Sequence, residues 1–146
     1  MADSILEKIR KMQSGELPPT PIAKLIGFTV AEAESGRVVV ELVSGERHQN
    51  PMGTLHGGVL CDIADAAMGM AYASRLGEGE SFTTLELKIN FLKPVWSSRL
   101  RAVGNVVKAG RMVGLVECDI HDETGALVAR ASSTCLTLRG EAAAGR

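Results

Sequence analysis

The residues with the clearest chemical potential gather at one junction. Asn50-Pro-Met-Gly-Thr-Leu-His56-Gly57-Gly58 places an amide, an imidazole and two glycines at the head of the longest apolar stretch, Leu55 to Leu76. If that stretch is a helix, the N–H groups of Gly57 and Gly58 belong to its first turn. Donors there have no intrahelical acceptor, and the helix dipole is positive. Glycine also has no side chain to hold a ligand away from the backbone. Such donors suit the oxyanion that develops on a carbonyl under attack. The same glycines would equally serve a closely packed helix start. Asp65 is the second candidate. An acid in an apolar helix is costly without partners, and burial would raise its pKa toward the range where a carboxylate is a useful base. Asp62, one turn earlier, competes for that role.

The step from His56 to Asp65 is nine residues, a net rotation of about 180° on a helix. The two side chains therefore leave opposite sides. One subunit would hardly bring both onto one substrate, whereas two subunits about a two-fold axis could. Thr83-Thr84 offers a hydroxyl pair at the entrance of the following strand. His48 and His121 read as solvated, because no second ligand stands at metal spacing. Cys61, Cys118 and Cys135 are odd in number and lack CxxC spacing. They read as reduced thiols in the core, without a disulfide framework or metal. No phosphate loop, dinucleotide fingerprint or serine elbow is present, so no cofactor is expected.

These residues need elements to hold them. Ile5, Leu6, Ile9 and Met12 share helical spacing over residues 3 to 13, with Asp3 or Ser4 as cap. Gly15 to Pro21 breaks that helix, and residues 21 to 26 have room for one more turn. A hairpin follows, turning at Glu34-Ser35-Gly36 into the strand Val38 to Val43. Residues 44 to 54 form a polar loop. Leu55 to Leu76 is apolar nearly all round, which marks a buried helix. Four strands come next, over residues 82–92, 99–108, 112–121 and 126–138, and read as a meander. Residues 139 to 146 read as a loose tail.

The expected fold class is α+β, an antiparallel sheet wrapped around one long buried helix, with free sheet edges that invite dimerisation. The 146 residues suit one domain, 1 to 146, whose first 20 residues are an N-terminal helix and linker. Hydrophobic residues make up 45%, charged residues 23% and aromatics 3%, so the core must be aliphatic. A net charge of −1 argues against a dedicated nucleic-acid binder. No signal-peptide pattern opens the chain and no uncharged run is long enough to cross a bilayer. The expected location is cytoplasmic.

The run Asn50 to Gly58, with Asp65 in the same helix, resembles the hotdog-fold acyl-CoA thioesterases, and within them the PaaI-like branch of phenylacetate degradation. The likeness extends into Thr84-Leu-Glu-Leu-Lys-Ile-Asn-Phe-Leu-Lys-Pro94 and covers roughly residues 20 to 138. The resemblance implies dimers that share one continuous sheet, often paired into tetramers, with active sites at the dimer interface. It implies that the Gly57 N–H polarises a thioester carbonyl, with Asn50 holding that carbonyl or the attacking water. Asp65 of the partner subunit would be base or nucleophile, in preference to Asp62. Thr84 would orient water, and His56 would anchor the loop and the thioester end of the ligand. Gly58 and Thr83 are expected beside the substrate, and small residues at Ala66, Gly69, Met70 and Ala73 along its acyl group. Basic residues should meet the CoA phosphates, with Lys93 and Arg111 the candidates; these two, Arg99 and Lys108 also suit solvated sheet-edge charges. No cofactor or metal is implied. Two other readings use the same fold: a non-catalytic acyl-CoA-binding protein, and a hotdog hydratase or dehydratase.

Overall fold

Ser4 opens the first helix, α1 (Ile5–Ser14), through a capping box in which its hydroxyl accepts from the Glu7 N–H and the Glu7 carboxylate accepts from the Ser4 N–H. Gly15, at φ 85°, ends it. Pro21 begins α2 (Pro21–Ile26) at the position where a missing N–H costs nothing. The computed structural model describes all residues, 1–146. After α2 the chain forms the expected hairpin of β1 (Thr29–Glu34) and β2 (Arg37–Val43), then a short 3-10 turn at Glu46–His48 and the central helix α3 (Gly57–Ala73). Strands β3 (Ser81–Phe91), β4 (Arg99–Ala109), β5 (Val113–His121) and β6 (Leu127–Leu138) complete one antiparallel sheet. Residues Gly140–Ala143, expected to be loose, make a single 3-10 turn.

The sheet order is β1-β2-β4-β5-β6-β3. The expected four-strand meander is therefore corrected to three strands, β4 to β6. Strand β3 crosses over and pairs antiparallel with β6, leaving β4 to pair with β2. Sequence periodicity gives strands but not distant partners, and here β4 fills the place beside the hairpin. No helix of the protein is long and apolar enough to cross a membrane.

Helix α3 lies across β2, β4 and β5. Leu60, Ile63, Ala64, Ala67, Met68, Ala71 and Tyr72 face the sheet and are buried. The helix is not buried all round: Cys61, Asp62, Ala66 and Met70 are half-buried and Asp65 is exposed, forming an outer stripe. Close approach needs glycine below the helix. A Cβ on Gly104 would stand 2.5 Å from the Ala67 carbonyl oxygen and 2.8 Å from the Met68 nitrogen. Those are backbone atoms and cannot swing aside. Gly104→Ala is therefore expected to cost about 3 kcal/mol of stability by overpacking, checked by urea denaturation.

The two sheet edges differ. At β1, α1 covers the edge, and the Arg10 Nε donates to the Ala33 carbonyl (3.2 Å) and the Gln13 Nε2 to the Ala31 carbonyl (2.8 Å). At β3 no element of the chain covers the edge. Leu85 and Phe91 on that strand are 58% and 55% exposed. An uncovered edge strand is a template for pairing with another chain.

Candidate active site

His56 is the N-cap of α3. Its Nδ1 accepts from the Gly58 N–H at 2.9 Å, so Nε2 carries the ring proton and is left as a donor. The second glycine of the motif has a steric reason: a Cβ there would lie 2.8 Å from that Nδ1. The Gly58 N–H is thus taken by the cap and is not free to donate to a ligand in this arrangement. The Gly57 N–H, first of the helix, has no intramolecular acceptor. A Cβ on Gly57 would come within 2.9 Å of the Phe91 ring. The absence of a side chain lets that ring close down beside the donor.

Asn50 is engaged in its own loop. Its Oδ1 accepts from the N–H groups of Met52 (2.9 Å) and Thr54 (3.2 Å), and its Nδ2 donates to the Thr54 hydroxyl (2.7 Å). It shapes the turn that delivers Gly57, and one Nδ2 hydrogen remains for a ligand. Asn50 and Gly57 share a hollow of about 410 Å3 with Phe91 and Lys93. Lys93 lines it but is ion-paired with Asp122, whose pKa that contact pulls well below the carboxylate range.

Asp65 stands elsewhere. It is exposed on the outer stripe of α3, yet enough protein surrounds it that desolvation lifts its pKa above the usual value. The Thr84 hydroxyl donates to its Oδ1 at 3.3 Å and opposes that rise, while the neighbouring Asp62 charge adds to it. Asp65 was expected to be sequestered; within one protomer it is exposed. Thr84 is aimed at it by a bulge in β3, where the register with β6 shifts between Thr84 and Glu86. Thr83, expected beside the substrate, lines none of these cavities, since adjacent strand residues point to opposite faces.

Asp65 and Thr84 sit at one end of an apolar cavity of about 610 Å3 whose wall on α3 is Ala66, Gly69, Met70 and Ala73. Those four are the residues expected along an acyl group. Gly57 lies about 12 Å back along the helix axis and opens into the other hollow. One protomer therefore does not join the donor to the carboxylate. Arg111 is in the turn after β4, at the end of the sheet where α3 finishes. Arg99 pairs with Glu41, and Lys108 is exposed.

His48, expected to be solvated, is 5% exposed. Its Nδ1 accepts from the Gly45 N–H and its Nε2 donates to the Ile26 carbonyl, tying the loop to α2. Nothing in the polar run around it signals this. Cys61 borders Asp65, and burial together with the Asp62 and Asp65 charges pushes its thiol pKa up. Cys118 and Cys135 are buried in the core.

Residues 52–129, more than half of the chain, match the family described as the thioesterase superfamily. The chain belongs to the thioesterase superfamily. Within it, a Saccharolobus solfataricus protein provisionally named an esterase is 35% identical over 118 residues, 81% of this chain and 84% of that one. Human acyl-coenzyme A thioesterase 13 is 26% identical over 136 residues, 92% of this chain and 94% of that one. Among solved structures, a Ralstonia eutropha thioesterase-type protein described as related to phenylacetic acid degradation superposes with a TM-score of 0.79 at 29% identity, covering 88% of this chain and 98% of that one. The reaction class of this superfamily, thioester hydrolysis, needs a polarised carbonyl and a base. In this chain a helix-start N–H without an acceptor, that of Gly57, and a carboxylate of raised pKa, Asp65, stand on the two separate surfaces described above.

Proposed function

We propose that the protein hydrolyses acyl-CoA thioesters at two equivalent sites of a homodimer. The observation that carries this reading is the Thr84–Asp65 pair: a carboxylate of raised pKa held at the end of an apolar cavity. Pairing of the uncovered β3 edges about a two-fold axis would make one continuous sheet and bury Leu85. It would also cover the outer stripe of α3 and bring Gly57 of one protomer toward Asp65 of its partner.

In that site the Gly57 N–H donates to the thioester oxygen, with the remaining Asn50 Nδ2 hydrogen beside it. Asp65 takes a proton from water, and the water oxygen bonds to the carbonyl carbon. Collapse of the tetrahedral intermediate breaks the C–S bond, and the departing sulfur takes up a proton as CoA thiol. Thr84 holds the carboxylate in aim. His56 fixes the helix start and offers its Nε2–H outward. Direct attack by Asp65 through an anhydride uses the same groups, and a single turnover in heavy-oxygen water separates the two routes. Lys93 and Arg111 remain candidates for the CoA phosphates, each at the margin of a protomer.

Release of free thiol from a panel of acyl-CoAs tests the activity, and the absence of release from every member would remove it. Sedimentation velocity should return a dimer or a multiple of it; a monomer at assay concentration contradicts the shared site. The base must be ionised to work, and its pKa is raised. Activity is therefore expected to fall as pH drops through a midpoint above that of an ordinary aspartate, read from kcat/KM against pH.

A further inference from the structure

The cavity that ends at Asp65 has a second wall, and it comes from the N-terminal elements. Ile5, Ile9 and Met12 of α1 and Ile22 of α2 face Gly69 and Met70 of α3 across it. Helix α1 is anchored sideways, through Arg10 and Gln13 to the edge of β1, and touches α3 only lightly. The space between α1 and α3 is thus left unfilled, with Ile22 still 48% exposed. Apolar walls with no side chain between them suit an apolar occupant.

The length of the cavity selects among occupants. From Asp65 to Ala73 its floor on α3 runs about 12 Å. An extended alkyl chain advances roughly 1.3 Å per carbon, given C–C bonds of about 1.5 Å. The floor therefore accommodates eight to ten carbons, beyond the reach of a single aryl ring. Apart from Phe28 and Phe82 its apolar lining is aliphatic, with flexible methionines on both walls that can adapt to a chain.

Resting on the thioesterase reading above, we propose that α1 and the linker after it form the roof of an acyl-chain channel, and that the preferred substrates are medium-chain aliphatic acyl-CoAs, with Met12 and Met70 setting the chain length.

The test is a chain-length series from butanoyl-CoA to dodecanoyl-CoA, with phenylacetyl-CoA alongside, on the wild-type protein and on Met12→Trp and Met70→Trp. In the wild type, kcat/KM should rise at least about tenfold from butanoyl to decanoyl and exceed that for phenylacetyl, because each added methylene is buried. In both variants, which block the channel from opposite walls, the decanoyl-to-butanoyl ratio should fall at least about tenfold. A wild-type series that is flat or peaks at the aryl substrate overturns the channel while leaving the thioesterase standing. So does a ratio unmoved in both variants. No thiol release from any substrate overturns the thioesterase reading, and this proposal with it.

Discussion

Asp65→Asn is expected to lower kcat about a thousandfold, within the range that a positioned general base contributes, while the protein becomes slightly more stable. The two effects share one cause. Desolvation holds the Asp65 pKa above its value in an unfolded chain, so the folded state binds the proton more tightly. The favourable contribution is present below the unfolded pKa and is lost as pH rises through the folded one. At neutral pH the ionised carboxylate is therefore a net cost, and the neutral amide removes it. The Thr84 hydroxyl can still donate to the Asn oxygen, so the local geometry survives. Thermal melts at neutral pH should show an unchanged or higher Tm for the variant, and thiol-release assays should show the loss of turnover. A lower Tm would mean that the carboxylate is structural. Turnover within tenfold of the wild type would mean that another group is the base.

That opposition between activity and stability is what made Asp65 legible in the sequence. A carboxylate in a run of Ala, Met and Leu violates the local pattern, and violations of that kind gather at functional sites. Most elements were legible for the complementary reason. The Ile5–Met12 spacing, the turn at Gly36 (φ 80°) and the four strand ranges after the central helix all agree with the elements observed. The pairing of β3 with β6 was not legible, because a strand's own residues carry its period and not the identity of a distant neighbour.

Within the site, side chains that bond to their own loop were the hard ones. Asn50, His56 and Gly58 sit in the motif as if all faced a ligand. The structure engages Asn50 with Met52 and Thr54, and His56 with Gly58. Local side-chain-to-backbone bonds compete for polar groups wherever the chain turns tightly, and a sequence does not show which groups they take. The role of α1 was hidden differently. Its apolar face reads as a packing face, but it leans on β1 and leaves a channel above α3 instead of filling it.

Gly57 is separable from these neighbours by a pair of substitutions. Gly57→Pro deletes the N–H and puts a ring carbon in its place. Gly57 is the first residue of α3, where proline is well tolerated. His56 before it lies at φ −65°, ψ 131°, the extended region that a following proline requires. Gly57→Ala keeps the N–H and adds a Cβ that meets the Phe91 ring, as the proline ring would. Phe91 is exposed and can swing, so both variants should fold. Both carry the Cβ, so the difference between them reports the lost donor and the ring carbon that replaces it. Removing one oxyanion donor costs about 100- to 1000-fold in kcat, roughly 3 to 4 kcal/mol of transition-state stabilisation. Gly57→Pro should therefore fall below Gly57→Ala by that factor, with a much smaller change in KM, because the ground-state carbonyl bears less charge than the intermediate. Equal rates in the two would show that crowding by Phe91, and not the missing hydrogen bond, explains any loss at this position. The thioester oxygen would then have to be stabilised by the Asn50 Nδ2 or the His56 Nε2–H.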